Sequence, residues 1–296
     1  MDTPPVVTCY RHADRRAGVS CQRCGRPICP DCMIPASVGF HCPACTSAGA
    51  QRVVRNPLAA SDPIATKILI GLNVVAFIAL VVSSGAPQQV LQGSGGPLVE
   101  DFGLIGHAPY RLSYPFGVAD GEWWRLITGG FLHGGLLHIG FNMVVLWLLG
   151  TQIERALGWQ RYVVLYLASL LAGSFGVMLL SPVGMTVGAS GAIFGLMGAA
   201  VVLQRAAGVS LRSSGLITLV VVNLLITFAV PGISIGGHIG GLIGGMATGA
   251  AMVAVDRRAP SMAAAVGIGL GLSALFFVGS LWAAAQWQDP LLTLFN

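Results

Sequence analysis

The sequence predicts an all-α polytopic membrane protein of seven helices, preceded by a small module built around Cys and His. Three observations carry this. Hydrophobic residues make up 54% of the 296 and charged residues only 9%, whereas a soluble domain has about a quarter charged. The charges that do occur divide the chain into long uncharged runs. All seven Cys fall between Cys9 and Cys45. The net charge of +5 is one-sided along the chain, so it speaks to membrane orientation and not to a nucleic-acid partner; none is expected.

Residues 1–46 form the module. Its ligand-type residues run Cys9-x2-His12, Cys21-x2-Cys24, Cys29-x2-Cys32 and Cys42-x2-Cys45. An odd Cys count argues against a closed disulfide set, and pairs spaced by two suit two tetrahedral Zn2+ sites. So short a segment has little apolar core, so metal would supply most of its folding free energy. The pattern resembles B-box-like and other cross-braced zinc fingers. That resemblance implies that the first and third pairs share one ion and the second and fourth share the other. His41, adjacent to Cys42, is an alternative ligand. No pair leaves an open coordination position, so the expected zinc is structural, with none for catalysis. The first 60 residues lack the apolar segment of a signal peptide. Residues 47–63, with Gly, Pro and Arg, read as a linker.

The uncharged runs are 68–99, 126–153, 162–204, 213–255 and 259–288. A span needs about 20 apolar residues, so the third and fourth runs hold two helices each. Ser181-Pro182-Val183-Gly184 and Pro231-Gly232 supply turn signals where those hairpins need them. Seven helices within 64–288 result, with 289–296 a short outer tail. With the N-terminus inside, fourteen of the sixteen Lys and Arg lie inside: eight up to Lys67, then Arg155, Arg161, Arg205, Arg212, Arg257 and Arg258. Only Arg111 and Arg125 lie outside. The positive-inside rule therefore puts the module in the cytoplasm, which suits reduced thiols, and the C-terminus outside. The long segment from Ser84 to His133 falls outside and holds Trp123-Trp124-Arg125, whose indoles read as interface anchors or as part of a functional loop.

Four polar residues then stand out. Ser190 follows the turn by six residues, within Gly188-Ala189-Ser190-Gly191-Ala192-Ile193-Phe194-Gly195. Taken alone, that octapeptide is a small-residue packing surface. His238 lies six residues after Gly232, and His138 and Asn142 share one face of the second helix. Singly, each could be a core histidine, a helix entry or an interhelical clip. Together they converge on one depth near the outer surface, and intramembrane ionisable residues default to function. Ser190 as nucleophile needs a base, and His238 is the candidate. No Asp or Glu lies between Glu154 and Asp256, so a Ser-His dyad is what remains. His138, Asn142 and the Ser190 backbone N–H can donate to an oxyanion. Gly237, Gly241, Gly245 and Gly249 face Gly191 and Gly195, letting the backbones close.

At this point the chain resembles the rhomboid family of intramembrane serine proteases. The matching features are Gly188-x-Ser190-Gly191, His138-xxx-Asn142, Gly237-His238-xx-Gly241, Trp124-Arg125 and His133, over roughly 64–255. The seventh helix, about 262–285, looks like the extra helix of the six-plus-one forms. Phe194 stands where some relatives have a Tyr stacked on the catalytic His. The resemblance implies a serine endopeptidase of a bacterial inner membrane. It would cut transmembrane proteins near the outer face after a substrate helix enters sideways from the bilayer and unwinds. The rivals are a catalytically silent helix-binding quality-control relative, a transporter and a receptor-like protein. A transporter would place a carboxylate at midplane, and helix count alone favours the receptor. Three readings of the basic cytoplasmic module stay open: it binds a partner, anionic lipid or nothing.

Overall fold

A computed structural model describes residues 6–48, 61–93, 95–108, 116–212 and 214–287. The chain divides into two units, Met1–Asn56 and Pro57–Asn296. Residues 49–60 of the expected linker, the expected tail 289–296 and Arg111 lie outside the described residues.

The first unit is built from two minimal hairpins. β1 (Val19–Ser20) pairs antiparallel with β2 (Pro27–Ile28), and β3 (Ile34–Pro35) with β4 (Phe40–His41). A 3-10 turn over Pro30–Cys32 lies between the hairpins, and α1 (Pro43–Ala48) follows them. Sulfur stands in for an apolar core: Cys9, Cys21, Cys29, Cys32, Cys42 and Ile28 are its buried cluster.

The second unit is helical: α2 (Ile64–Ser83), the short α3 (Pro87–Gln92), α4 (Pro97–Phe102) and α5 (Arg125–Thr128), then α6 (Leu136–Leu157), α7 (Trp159–Leu180), α8 (Ser190–Ala206), α9 (Leu216–Ala229), α10 (Ile235–Arg258) and α11 (Met262–Gln286). Among the described residues, α2, α6, α7, α10 and α11 are long and apolar enough to cross a membrane, and α8 and α9 are shorter apolar helices. The chain is thus a multi-pass membrane protein. Both predicted turns fall between helices. α6 and α10 run past their uncharged stretches through Glu154-Arg155 and Asp256-Arg257-Arg258. A charge ends an apolar run without ending a helix when it finds a partner. Glu154 finds the start of α2, and Asp256 accepts two hydrogen bonds from Arg161 at 2.7 and 2.9 Å.

Glycine sets the packing around α8. A Cβ on Gly241 would strike the carbonyl of Gly191, and one on Gly245 the carbonyl of Gly195. Backbones this close exclude any side chain, which suits a solvent where contact and not the hydrophobic effect joins helices. α7 belongs to the same contact, unforeseen from sequence: a Cβ on Gly176 would strike the carbonyl of Gly236, and one on Gly173 would meet Gly237 O at 3.0 Å. By contrast, α9 buries only Leu216 and Thr227.

The segment before α8 is braced by the loop that follows α4. Leu104 and Thr186 exchange backbone hydrogen bonds of 2.9 and 2.8 Å, and Gly188 N–H donates to Gly129 O at 2.9 Å. Arg125, 2% exposed, anchors this loop. Its Nη1 donates to Glu100 O at 2.7 Å and Gly103 O at 2.8 Å, and its Nε to Glu122 Oε2 at 2.6 Å. Trp124 Nε1 donates to Asp101 O at 3.4 Å. Trp124 and Arg125 thus organise the loop: their side-chain hydrogen bonds go to Asp101, Glu100, Gly103 and Glu122, not to Ser190.

Candidate active site and metal sites

Ser190 is the first residue of α8, so helix geometry leaves the N–H groups of Ser190 and Gly191 without intrahelical acceptors. His238 sits one turn into α10, whose start is capped by Ser234 Oγ accepting from Gly237 N–H at 3.1 Å. Ser190 Oγ and His238 Nε2 are 2.8 Å apart. The imidazole is 8% exposed and lies flat on Phe194, with centroids 4.1 Å apart and planes at 18°. Its other nitrogen, Nδ1, is 2.7 Å from Thr227 Oγ1. Thr227 escaped the sequence reading, because a threonine in an apolar helix usually satisfies its hydroxyl on its own backbone.

Gly188 has φ +127°, a conformation glycine alone adopts freely. A Cβ there would lie 2.8 Å from Cε1 and Nε2 of His138 and 3.6 Å from Ser190 Oγ. His138 and Ser190 therefore flank one side of a bare backbone. His138 Nδ1 accepts from Gly134 N–H at 3.3 Å, so in the neutral ring the proton is on Nε2, the atom beside Gly188. Asn142 Nδ2 donates to His138 O at 2.9 Å, which leaves one N–H to spare. His133 is fully buried, accepts from Ala189 N–H at 3.5 Å, and meets His138 edge to face at 5.0 Å. Gly191 packs on α10, with Gly237 O at 3.3 Å from where its Cβ would be. The arrangement holds a hydroxyl against an imidazole, with a second imidazole N–H beside the bare backbone of Gly188.

In the first unit, Cys9, His12, Cys29 and Cys32 bring their ligand atoms together, as do Cys21, Cys24, Cys42 and Cys45. These are the first-with-third and second-with-fourth pairings. Cys42, not His41, occupies the second group; His41 is taken up in β4. His12 Nδ1 lies 3.4 Å from Cys29 Sγ and 3.5 Å from Cys32 Sγ, and Cys24 Sγ lies 3.8 Å from Cys42 Sγ. Tetrahedra with metal–sulfur bonds of about 2.3 Å have edges near these lengths. Cys21 Sγ accepts from Cys42 N–H at 3.2 Å, which favours thiolate. Burial opposes ionisation of Cys9 and Cys21, yet backbone N–H groups bring both down to about 6. Burial and the sulfurs of Cys9 and Cys29 hold Cys32 up at about 11, and the sulfurs of Cys24 and Cys42 hold Cys45 up at about 12. The two donor sets each fit one cation.

Residues 120–255 match the family model for the rhomboid domain. The chain is 36% identical over 179 residues to the rhomboid protease GluP of Bacillus subtilis, covering 60% of this chain and 32% of that protein. It is 46% identical over 86 residues to the putative rhomboid protease YdcA of the same organism, covering 29% of this chain and 43% of the relative. RHOMBOID-like protein 5 of Arabidopsis thaliana is 42% identical over 106 residues, covering 35% of this chain and 33% of the relative. The chain thus spans less than half the length of these curated relatives. Downstream of its Cys/His module, the chain carries a rhomboid domain and is related to the rhomboid proteases.

Proposed function

We propose that this chain is an intramembrane serine protease that cleaves transmembrane segments of other membrane proteins. The 2.8 Å approach of Ser190 Oγ to His238 Nε2 carries the proposal. Ser190 Oγ attacks the scissile carbonyl while its proton passes to His238 Nε2. The carbonyl oxygen becomes an oxyanion, and His138 Nε2–H, the spare N–H of Asn142 and the Ser190 backbone N–H donate to it. Collapse breaks the C–N bond, and His238 returns the proton to the leaving amine. Water, deprotonated by His238, then attacks the acyl-serine ester, and Ser190 recovers its proton. Unwinding of the substrate helix comes first, because a helical carbonyl is engaged in its own hydrogen bond.

The matched relatives named as rhomboid proteases support the class of reaction. Basic residues clustered toward one side support a cytoplasmic N-terminal module and an active site near the outer face of a bacterial inner membrane. Seven sulfurs and one imidazole, gathered into two groups of four, support two structural Zn2+ ions. Co-reconstitution in liposomes with a fluorescent transmembrane substrate bearing glycines near its outer end tests the activity. Cleavage by wild type that Ser190→Ala loses is the expected result. Binding without cleavage by the wild type would instead favour a catalytically silent helix-binding protein.

A further inference from the structure

We infer that Thr227 is a positioning residue for His238, fixing its proton on Nδ1 so that a bare Nε2 faces Ser190. The inference rests on the assignment of Ser190 and His238 as nucleophile and base. A neutral imidazole can serve as base toward Ser190 only in the tautomer whose Nε2 lone pair is free. In triad proteases a carboxylate on the other nitrogen enforces this, and loss of that tautomer costs about 10⁴ in rate. No carboxylate is available from α7 to α10, since none occurs between Glu154 and Asp256. In the loop between α4 and α5, Asp120 pairs with His107 at 3.1 Å and Glu122 with Arg125 at 2.6 Å.

Thr227 supplies the constraint through proton counting. Its hydroxyl has one proton and lies 2.7 Å from the carbonyl oxygen of Asn223. A carbonyl only accepts, so that proton is committed to Asn223. The hydroxyl oxygen then meets His238 Nδ1 at 2.7 Å as an acceptor, and Nδ1 must carry the hydrogen. The chain of donors runs Ser190 Oγ–H to His238 Nε2, His238 Nδ1–H to Thr227 Oγ1, and Thr227 Oγ1–H to Asn223 O. Every group is satisfied, and the reverse tautomer would set an N–H against the Ser190 hydroxyl and leave Nδ1 without a donor. Thr227 is 2% exposed, so water does not compete for the contact. Once His238 takes the serine proton, the same hydroxyl oxygen accepts from the imidazolium.

The test uses the full-length protein in detergent, with Thr227→Val removing the acceptor at constant shape and Thr227→Ser restoring it. ¹⁵N shifts of histidine-labelled protein, with His238 assigned by substitution, read the tautomer without reference to activity. Wild type is expected to show the Nδ1–H form, Thr227→Val a mixture, and Thr227→Ser the wild-type form. Labelling of Ser190 by a fluorophosphonate is expected to slow about tenfold or more in Thr227→Val and to recover in Thr227→Ser. A thermal melt on each sample separates this from loss of fold, since both variants are compared only where they remain folded. An Nε2–H form in wild type, or wild-type labelling by folded Thr227→Val, overturns the inference. Unlabelled wild type whose Nδ1–H form is lost in Thr227→Val supports the positioning by Thr227 and overturns the nucleophile assignment instead.

Discussion

Glu154, near the end of α6, closes the first turn of α2 with both carboxylate oxygens: Oε1 accepts from Ala65 N–H at 2.9 Å, and Oε2 from the N–H and hydroxyl of Thr66 at 2.8 and 2.7 Å. The carboxylate is 3% exposed and sits at the positive end of a helix dipole. Pro63, the residue at the N-cap position, offers no side chain for this. Glu154→Ala would leave three buried donors unpaired, at about 3 kcal/mol or more. A lowered thermal unfolding midpoint in detergent is expected. An unchanged midpoint would mean that water satisfies this helix start.

The glycine contact makes opposite claims for two residues of the same type. Gly245→Ala drives a methyl into the Gly195 backbone, whereas Gly271 on α11 has nothing within 4 Å of its Cβ position. Backbone cannot yield as a side-chain tip does, so Gly245→Ala should cost about 3 kcal/mol, the upper end for overpacking. Gly271→Ala should be neutral or slightly stabilising. Thermal melts of the two variants side by side check this, and equal melts would mean that α8 and α10 separate freely.

The two Cys/His clusters set a stoichiometry. Purified full-length protein is expected to carry two zinc ions by elemental analysis. Cys42→Ser should lose one of them and His41→Ala neither, because Cys42 is the member of the second cluster. Loss of metal from His41→Ala would put the histidine in its place. Neither substitution should eject the helices from the membrane, since they satisfy their own backbone hydrogen bonds.

Much of this architecture is legible in sequence because charge is so rare. Arg161 and Arg205 bound one two-helix run and Arg212 and Asp256 the next. In both, the turn sits at Pro-Gly chemistry that cannot be mistaken. Ser190 and His238 stand out as polar residues among apolar ones, and Cys pairs announce their own spacing. Other contacts leave no such mark. Glu154 bonds to two backbone N–H groups, which every residue has, and to the hydroxyl of Thr66, which carries no charge to mark it as the partner of a carboxylate. Thr227 looks like any threonine that back-bonds in an apolar helix. The glycines of α7 lack the every-fourth spacing of those on α10, so their role shows only when α10 is seen against them.

Oxyanion donors act on charge that develops during reaction, so they matter more to the transition state than to binding. Asn142→Ala and His138→Ala should each lower kcat by about 10²–10³ with KM little changed. Asn142 also bonds to His138 O at 2.9 Å, so melts on the same preparations must accompany the kinetics. Activity falling only with the folded fraction would make Asn142 a structural residue.

The most direct test of the central claim is covalent. Wild-type protein treated with a fluorophosphonate should gain one adduct, mapped by peptide mass to Ser190. Ser190→Ala should gain none, and His238→Ala should react far more slowly, since a serine without its base is a poor nucleophile. An adduct that persists on Ser190→Ala, or a folded wild type that never reacts, would contradict the assignment of Ser190 and His238 as a catalytic pair.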